Sequence, residues 1–190
     1  AVPFPQEAML GALTDLLNNG QAIYEMGPTN ATLEHLLLNE VGQALGLPAG
    51  CGGVLCHGGT LGNLVALLAA QRKLGLRLDQ DPWRHGIRQA DPYVVLVSEQ
   101  AHYCVDRAVR IMGWGPEAVV LVKTDAHHRM DVDDLTHQAR ELRGQGKQLL
   151  AVVGSACTTS AGAYDPLDRI AEWAHTEEVW FHVDGAHGAP

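Results

Sequence analysis

Charge is scarce in this chain, and positive charge is scarcer. Of 190 residues 18% are charged, with 13 Lys and Arg against 22 Asp and Glu, for a formal net charge of −9. That balance repels phosphate backbones, so nucleic acid is not an expected partner. Long apolar runs are missing as well. The longest, Leu61 to Ala70, is broken by Gly62 and Asn63 and is too short to span a bilayer, so no membrane partner is expected. No charged-then-apolar leader opens the chain, and nothing in it signals secretion. The four cysteines, at 51, 56, 104 and 157, form no CxxC pair and no ladder of close spacings. They predict reduced thiols in a cytoplasmic protein. Only three lysines occur, at 73, 123 and 147.

What is present is largely apolar. Hydrophobic residues make up 46%, enough for a real core and too many for disorder. The chain starts at Ala1 and stops at Gly188-Ala189-Pro190, directly after its most polar-loaded segment, which predicts a piece of a longer protein. Two helices open it. One runs from Gln6 to Asn19, with apolar residues at 9, 10, 13, 16 and 17. The other is capped by Asn30 and carries the stripe Leu33, Leu36, Leu37, Val41, Ala44 and Leu45 before Gly46 and Pro48 end it. Residues 1–48 therefore read as a helical segment and 49–190 as a separate, incomplete domain.

From residue 49 onward the pattern alternates. Apolar runs at 54–57, 93–98, 118–122, 148–154 and 179–184 are separated by helical stretches at 60–74, 102–112, 131–143 and 165–176. The last of these has Asp165 as its cap and Pro166 at its first position. Five continuous apolar runs joined by four helices predict an α/β fold with a mainly parallel sheet and helices on both faces.

In such a sheet, ligands bind outside the carboxyl ends of the strands. Four predicted strand ends carry polar clusters: His57-Gly58-Gly59-Thr60, Ser98 through His102, Gly154 through Thr159, and His182 through His187. Gly58-Gly59-Thr60 opens a helix, where bare backbone N–H groups and the helix dipole favour an anion such as phosphate. Asp184 ends an apolar strand with no Lys or Arg within ten residues on either side, so a cationic ligand nitrogen is a suitable partner. His102 can stack on an aromatic ligand or move protons, and Thr158-Thr159 offer hydroxyls. The same residues also fit plainer roles, a strand-to-helix turn for the glycines and an Asp that caps its own loop. A rival constellation is His182, Asp184 and His187, whose H-x-D-x-x-H spacing suits the metal of a hydrolase. It leaves the Gly-Gly-Thr turn without a purpose, and no metal is expected.

With these motifs in this order, the chain resembles the pyridoxal-5′-phosphate-dependent group II amino-acid decarboxylases. The matching segments are Gly53-Val54 with Gly58-Gly59-Thr60 and Asn63, Ser98 with Ala101-His102-Tyr103, Thr158-Thr159 with Gly162 through Pro166, and His182 through Ala186. The resemblance implies the large domain of the fold-type I (aspartate aminotransferase-like) enzymes. It implies pyridoxal 5′-phosphate as cofactor, an L-amino acid as substrate, carboxy-lyase activity in carboxylic-acid metabolism, and a homodimer with its site at the interface. Gly59 and Thr60 would hold the phosphate. His102 would stack on the ring and Ala186 pack near its other face. Thr159 would contact the cofactor, and Asp184 would pair with the ring nitrogen, so that His102 and Asp184 are the catalytic residues present. Aminotransferases, desulfurases and aldolases share the Asp and the phosphate seat, and a catalytically dead paralogue is the non-enzyme alternative. The family's Schiff-base lysine has no match among Lys73, Lys123 and Lys147, so residues 1–190 alone are expected to be inactive.

Overall fold

The computed structural model describes residues 4–18, 20, 22–87 and 93–189. They form two compact units, Ala1–Leu55 and Cys56–Pro190. In the first, Pro5 starts helix α1 (Pro5–Leu17), which ends at Asn18 in the left-handed conformation (φ 46°). Helix α2 (Pro28–Ala44) follows a 3₁₀ turn at Tyr24–Met26. It begins two residues before the expected cap, because Pro28 takes the first helical position after Gly27 and puts Asn30 inside the helix. The unit extends past residue 48 because the chain folds back along α2, where the Leu55 amide donates to Glu34 Oε1 at 2.8 Å.

The second unit contains helices α3 (Gly59–Arg77), α4 (Pro82–His85), α5 (Cys104–Ile111), α6 (Val132–Gly144) and α7 (Leu167–Thr176). Its strands are β1 (Tyr93–Ser98), β2 (Val119–Val122), β3 (Gln148–Ser155) and β4 (Trp180–Asp184), all parallel, in the order β2-β1-β3-β4. The expected strand at 54–57 is absent: those residues form no strand and are exposed. A strand buried on both faces needs neighbours for its backbone groups as well as an apolar run, and here the run only leads into α3.

Two apolar layers sandwich the sheet. On one face Val95, Val97, Ala151 and Val153 pack with Leu67 and Leu74 of α3 and Val105 and Val109 of α5. On the other, Val94, Leu96 and Val152 pack with Leu135 and Leu142 of α6 and Ile170 and Trp173 of α7. The β1–β3 register shifts between Val94 and Val95, so that Leu149 pairs with Val94 and Ala151 with Val95. The extra residue, Leu150, lets β3 serve both layers, with Leu149 in one and Leu150 and Ala151 in the other.

Connectivity places the crevice. From β1 the chain passes through α5 on one face to β2 on one side; from β3 it passes through α7 on the opposite face to β4 on the other side. The connections diverge between β1 and β3, the switch point at which open α/β sheets leave room for a ligand. Among the described residues no helix is long and apolar enough to cross a membrane.

Candidate active site

A cavity of about 230 Å³ opens at these strand ends. Gly59, Thr60 and Asn63 reach it from α3, His102 from the loop after β1, Cys104 from the start of α5, Ser155, Thr158 and Thr159 from the end of β3 and the loop after it, and Asp184 and Ala186 from the end of β4 and the loop after it. All six expected site residues, Gly59, Thr60, His102, Thr159, Asp184 and Ala186, therefore line one space.

The α3 start is an uncapped helix end. Its cap, Gly58, has φ 83°, a left-handed conformation that a side chain resists, and no side chain caps the helix. The first backbone N–H groups of α3 thus lack intrahelical acceptors. Gly59 is required for a second reason: a Cβ there would come within 2.5 Å of the Ala186 Cβ. Glycine lets the helix start close against the loop after β4, and Thr60 adds a hydroxyl at the rim.

Asp184 lies against the same helix. Its Oδ2 accepts from Asn63 Nδ2 at 2.9 Å, and its Oδ1 accepts only a long 3.3 Å bond from the Ala186 amide. Asn63 is 3% exposed and also meets Cys104 Sγ at 2.9 Å and His182 Nε2 at 2.5 Å. Burial holds the His182 imidazole below its ordinary range, against the attraction of Asp184. Burial likewise pushes the Cys104 thiol up, while the hydrogen bond from Asn63 works against it. Asn63 and Cys104 thus flank Asp184 in the cavity lining, with His182 behind Asn63.

His102 stands half-buried in the wall, its Nδ1 accepting from the Cys104 amide at 3.3 Å and its ring 4.2 Å from that of Tyr103. That bond leaves Nε2 as the proton-bearing nitrogen. Of the two threonines, Thr158 is buried, and its Oγ1 accepts from the Ala163 amide at 3.1 Å, whereas Thr159 is exposed at the rim.

Asp165 is not the cap that the Asp-Pro pair suggests. Helix α7 starts at Leu167 behind Pro166, and Asp165 is 3% exposed. Its oxygens accept from the Met130 and Ser155 amides, both at 2.7 Å. It staples the end of β3 to the segment ahead of α6; burial raises its pKa, and the two amides oppose that rise.

Other expected members of the polar edge lie elsewhere. Glu99 accepts from the Thr124 amide and hydroxyl, Gln100 from Ser160 Oγ, and His57 is exposed outside the cavity lining. His187 reaches the cavity, but His182 faces Asn63, and among the described residues no three His, Cys, Asp or Glu side chains converge as metal ligands. No lysine lines the cavity. Asn63 has a place in the resembling segments of the sequence but no role, and Cys104 is not singled out there at all. Asn63 reads there as a break in an apolar helix, and that oddity was the available signal.

Comparison with known proteins agrees with this geometry. A model of the pyridoxal-dependent decarboxylase conserved domain matches residues 6–189. The aromatic-L-amino-acid decarboxylase of Bacillus atrophaeus is 33% identical over 193 residues, covering 100% of this chain and 38% of that protein. The mouse cysteine sulfinic acid decarboxylase is 32% identical over 176 residues, covering 93% of this chain and 35% of that protein. Among solved structures, the glutamate decarboxylase domain of a diaminobutyrate-pyruvate transaminase and L-2,4-diaminobutyrate decarboxylase from Vibrio parahaemolyticus superposes with a TM-score of 0.92 at 28% identity, covering 98% of this chain and 41% of that one. The chain spans little more than a third of the length of the curated relatives it matches.

Proposed function

The chain belongs to the pyridoxal-dependent decarboxylases, and we propose that it serves an enzyme that removes the carboxyl group of an L-amino acid as carbon dioxide, using pyridoxal 5′-phosphate. One observation carries the reading: an uncapped helix start at Gly59-Thr60 and the carboxylate of Asp184 line the same cavity, with His102 in its wall. Those residues fit a ligand with an anionic tail, a flat ring and a basic nitrogen.

When bound, pyridoxal phosphate supplies the electron sink that accepts the pair released as the carboxyl group leaves. The residues supply position and charge. The free N–H groups at the start of α3, with the Thr60 hydroxyl, would hold the phosphate. His102 and Ala186 would contact the ring, and Thr159 would offer a further hydroxyl. The carboxylate of Asp184, which accepts one hydrogen bond at each oxygen, would keep a basic ring nitrogen protonated. Asp165 steadies the loop that carries both threonines.

Lys73, Lys123 and Lys147 all lie outside this lining, and we assign the cofactor-binding amine to another part of the protein. Residues 1–190 alone are accordingly expected to decarboxylate nothing. The curated relatives act on different amino acids at nearly equal identity, which supports the reaction class and not a particular substrate. The free cysteines support a cytoplasmic location, and the family resemblance supports a homodimer with the site at its interface. Asp184→Ala in the full-length protein tests the central assignment. Turnover should fall by about 10²–10³-fold, as when a preorganised charge is removed, with much weaker loss of bound cofactor measured by absorbance. Turnover within a few-fold of the parent sinks the assignment.

A further inference from the structure

We propose that Asn63 is the positioning residue of this site: its amide separates His182 from Asp184, fixes the imidazole as the Nε2–H tautomer, and orients the Asp184 carboxylate through Oδ2, leaving Oδ1, with its longer bond from the Ala186 amide, the less engaged oxygen. The inference rests on the role assigned to Asp184 above.

The hydrogen-bond accounting is closed. An ionised carboxylate only accepts, so the group that Asn63 turns toward Asp184 Oδ2, at 2.9 Å, is its Nδ2. The second hydrogen of that nitrogen points to Cys104 Sγ, also at 2.9 Å. The Oδ1 of Asn63 then faces His182 Nε2 at 2.5 Å, and since an amide oxygen only accepts, the proton sits on Nε2. One buried side chain thereby sets the proton position of its neighbour and takes up one oxygen of the acid.

The electrostatic consequence is larger than one hydrogen bond. His182 and Asp184 occupy alternate positions on β4 and face α3 together. In direct contact they would form an imidazolium–carboxylate pair, and the negative charge of Asp184 would be spent inside the protein. A neutral amide between them prevents this. The titratable groups around the imidazole are Asp184 on its own strand and the Cys104 thiol of α5, with Lys73 of α3 near Trp180 at the far end of the strand. Burial also favours the neutral imidazole.

Placement adds a mechanical link. Asn63 lies one helical turn beyond Gly59 and Thr60, on the face of α3 that meets the cavity. The helix that offers its N-terminus to an anion therefore also orients the acid at the end of β4. A ligand touching both ends meets a carboxylate whose position is tied to that helix.

The test uses the full-length protein and two substitutions. Asn63→Asp keeps the shape and replaces the amide by a carboxylate that attracts a second proton to His182. Asn63→Leu removes all three hydrogen bonds. With histidine nitrogens labelled, the cofactor-free parent should show a neutral Nε2–H imidazole for His182 near pH 7. Asn63→Asp should show an imidazolium there. In the cofactor-loaded protein both variants should lose turnover by about 10–100-fold, the range for residues supporting a functional group from behind, with KM nearly unchanged. An unchanged His182 signal in Asn63→Asp overturns the inference, as does turnover within threefold of the parent in both variants while Asp184→Ala is inactive. If Asp184→Ala is active too, the reading of the site itself has failed.

Discussion

The two compact units of this chain carry the same kind of helical apolar pattern and use it in opposite ways. In the unit ending at Leu55, α1 buries none of its residues, and Leu10, Leu13, Leu36, Leu37 and Val41 are all exposed. In the unit from Cys56 onward, Leu67 of α3, Val109 of α5, Leu135 of α6 and Ile170 of α7 are each 0% exposed against a sheet. Periodicity states that a helix has a face to bury, and nothing about where the partner for that face comes from. In the second unit the partner is a sheet built from the same chain; in the first, the described residues provide none. The candidate site lies in the unit that has its own core, where packed elements hold polar groups in fixed positions.

The contrast is measurable, with the largest effect in the core. Leu96, at the centre of β1, is 0% exposed between α6 and α7, and Leu96→Ala should lower the unfolding free energy of the full-length protein by about 2–5 kcal/mol in urea titration. Leu36→Ala on α2 should change it by less than about 0.5 kcal/mol wherever that side chain stays exposed, as here. A large loss at Leu36 would break the comparison by showing that the face is covered in the complete protein.

A smaller effect is expected at Asp165. Asp165→Asn turns an amide N–H₂ toward one of the two backbone donors that the carboxylate satisfies, costing about 1–3 kcal/mol. Hydrogen exchange should show the loss at Met130 and Ser155 rather than in α1 or α2.

The smallest effect is a pH slope. His182 has its pKa depressed in the folded protein relative to its ordinary value of 6.5. The unfolded chain therefore takes up this proton first, and the stability contributed above pH 6.5 is lost as the pH falls through the depressed value. Urea midpoints at pH 7 and pH 5 should differ more for the parent than for His182→Gln. Equal differences would remove His182 from the list of groups that set acid stability.

Much of the second unit is legible in its residues. Runs such as Tyr93–Ser98 and Gln148–Ser155 are continuous and β-branched, and Asp131 caps α6 by accepting from the Asp133 and Asp134 amides, as its place before the apolar stripe suggests. The misreadings share a cause. Val54–His57 has the composition of a strand but no strand beside it, and Asp165 has the sequence context of a cap but is claimed by amides at 130 and 155. In both places a partner distant in sequence outweighs the local signal.

The site divides along the same line. Residue type and position pointed to the Gly58-Gly59-Thr60 turn, His102, the Thr158-Thr159 pair and Asp184, and the family resemblance supplied the roles of Gly59, Thr60, His102, Thr159, Asp184 and Ala186. Asn63 and Cys104 looked like parts of helices, and only folding brings them to Asp184, 121 residues from Asn63 along the chain. Local order, the alternation of strand and helix and the chemistry of strand ends follow from short-range sterics and periodicity, which neighbouring residues set among themselves. The number of paired strands, the depth at which Asp165 and Asn63 are buried, and the tautomer of His182 depend on groups that meet only when the sheet is assembled.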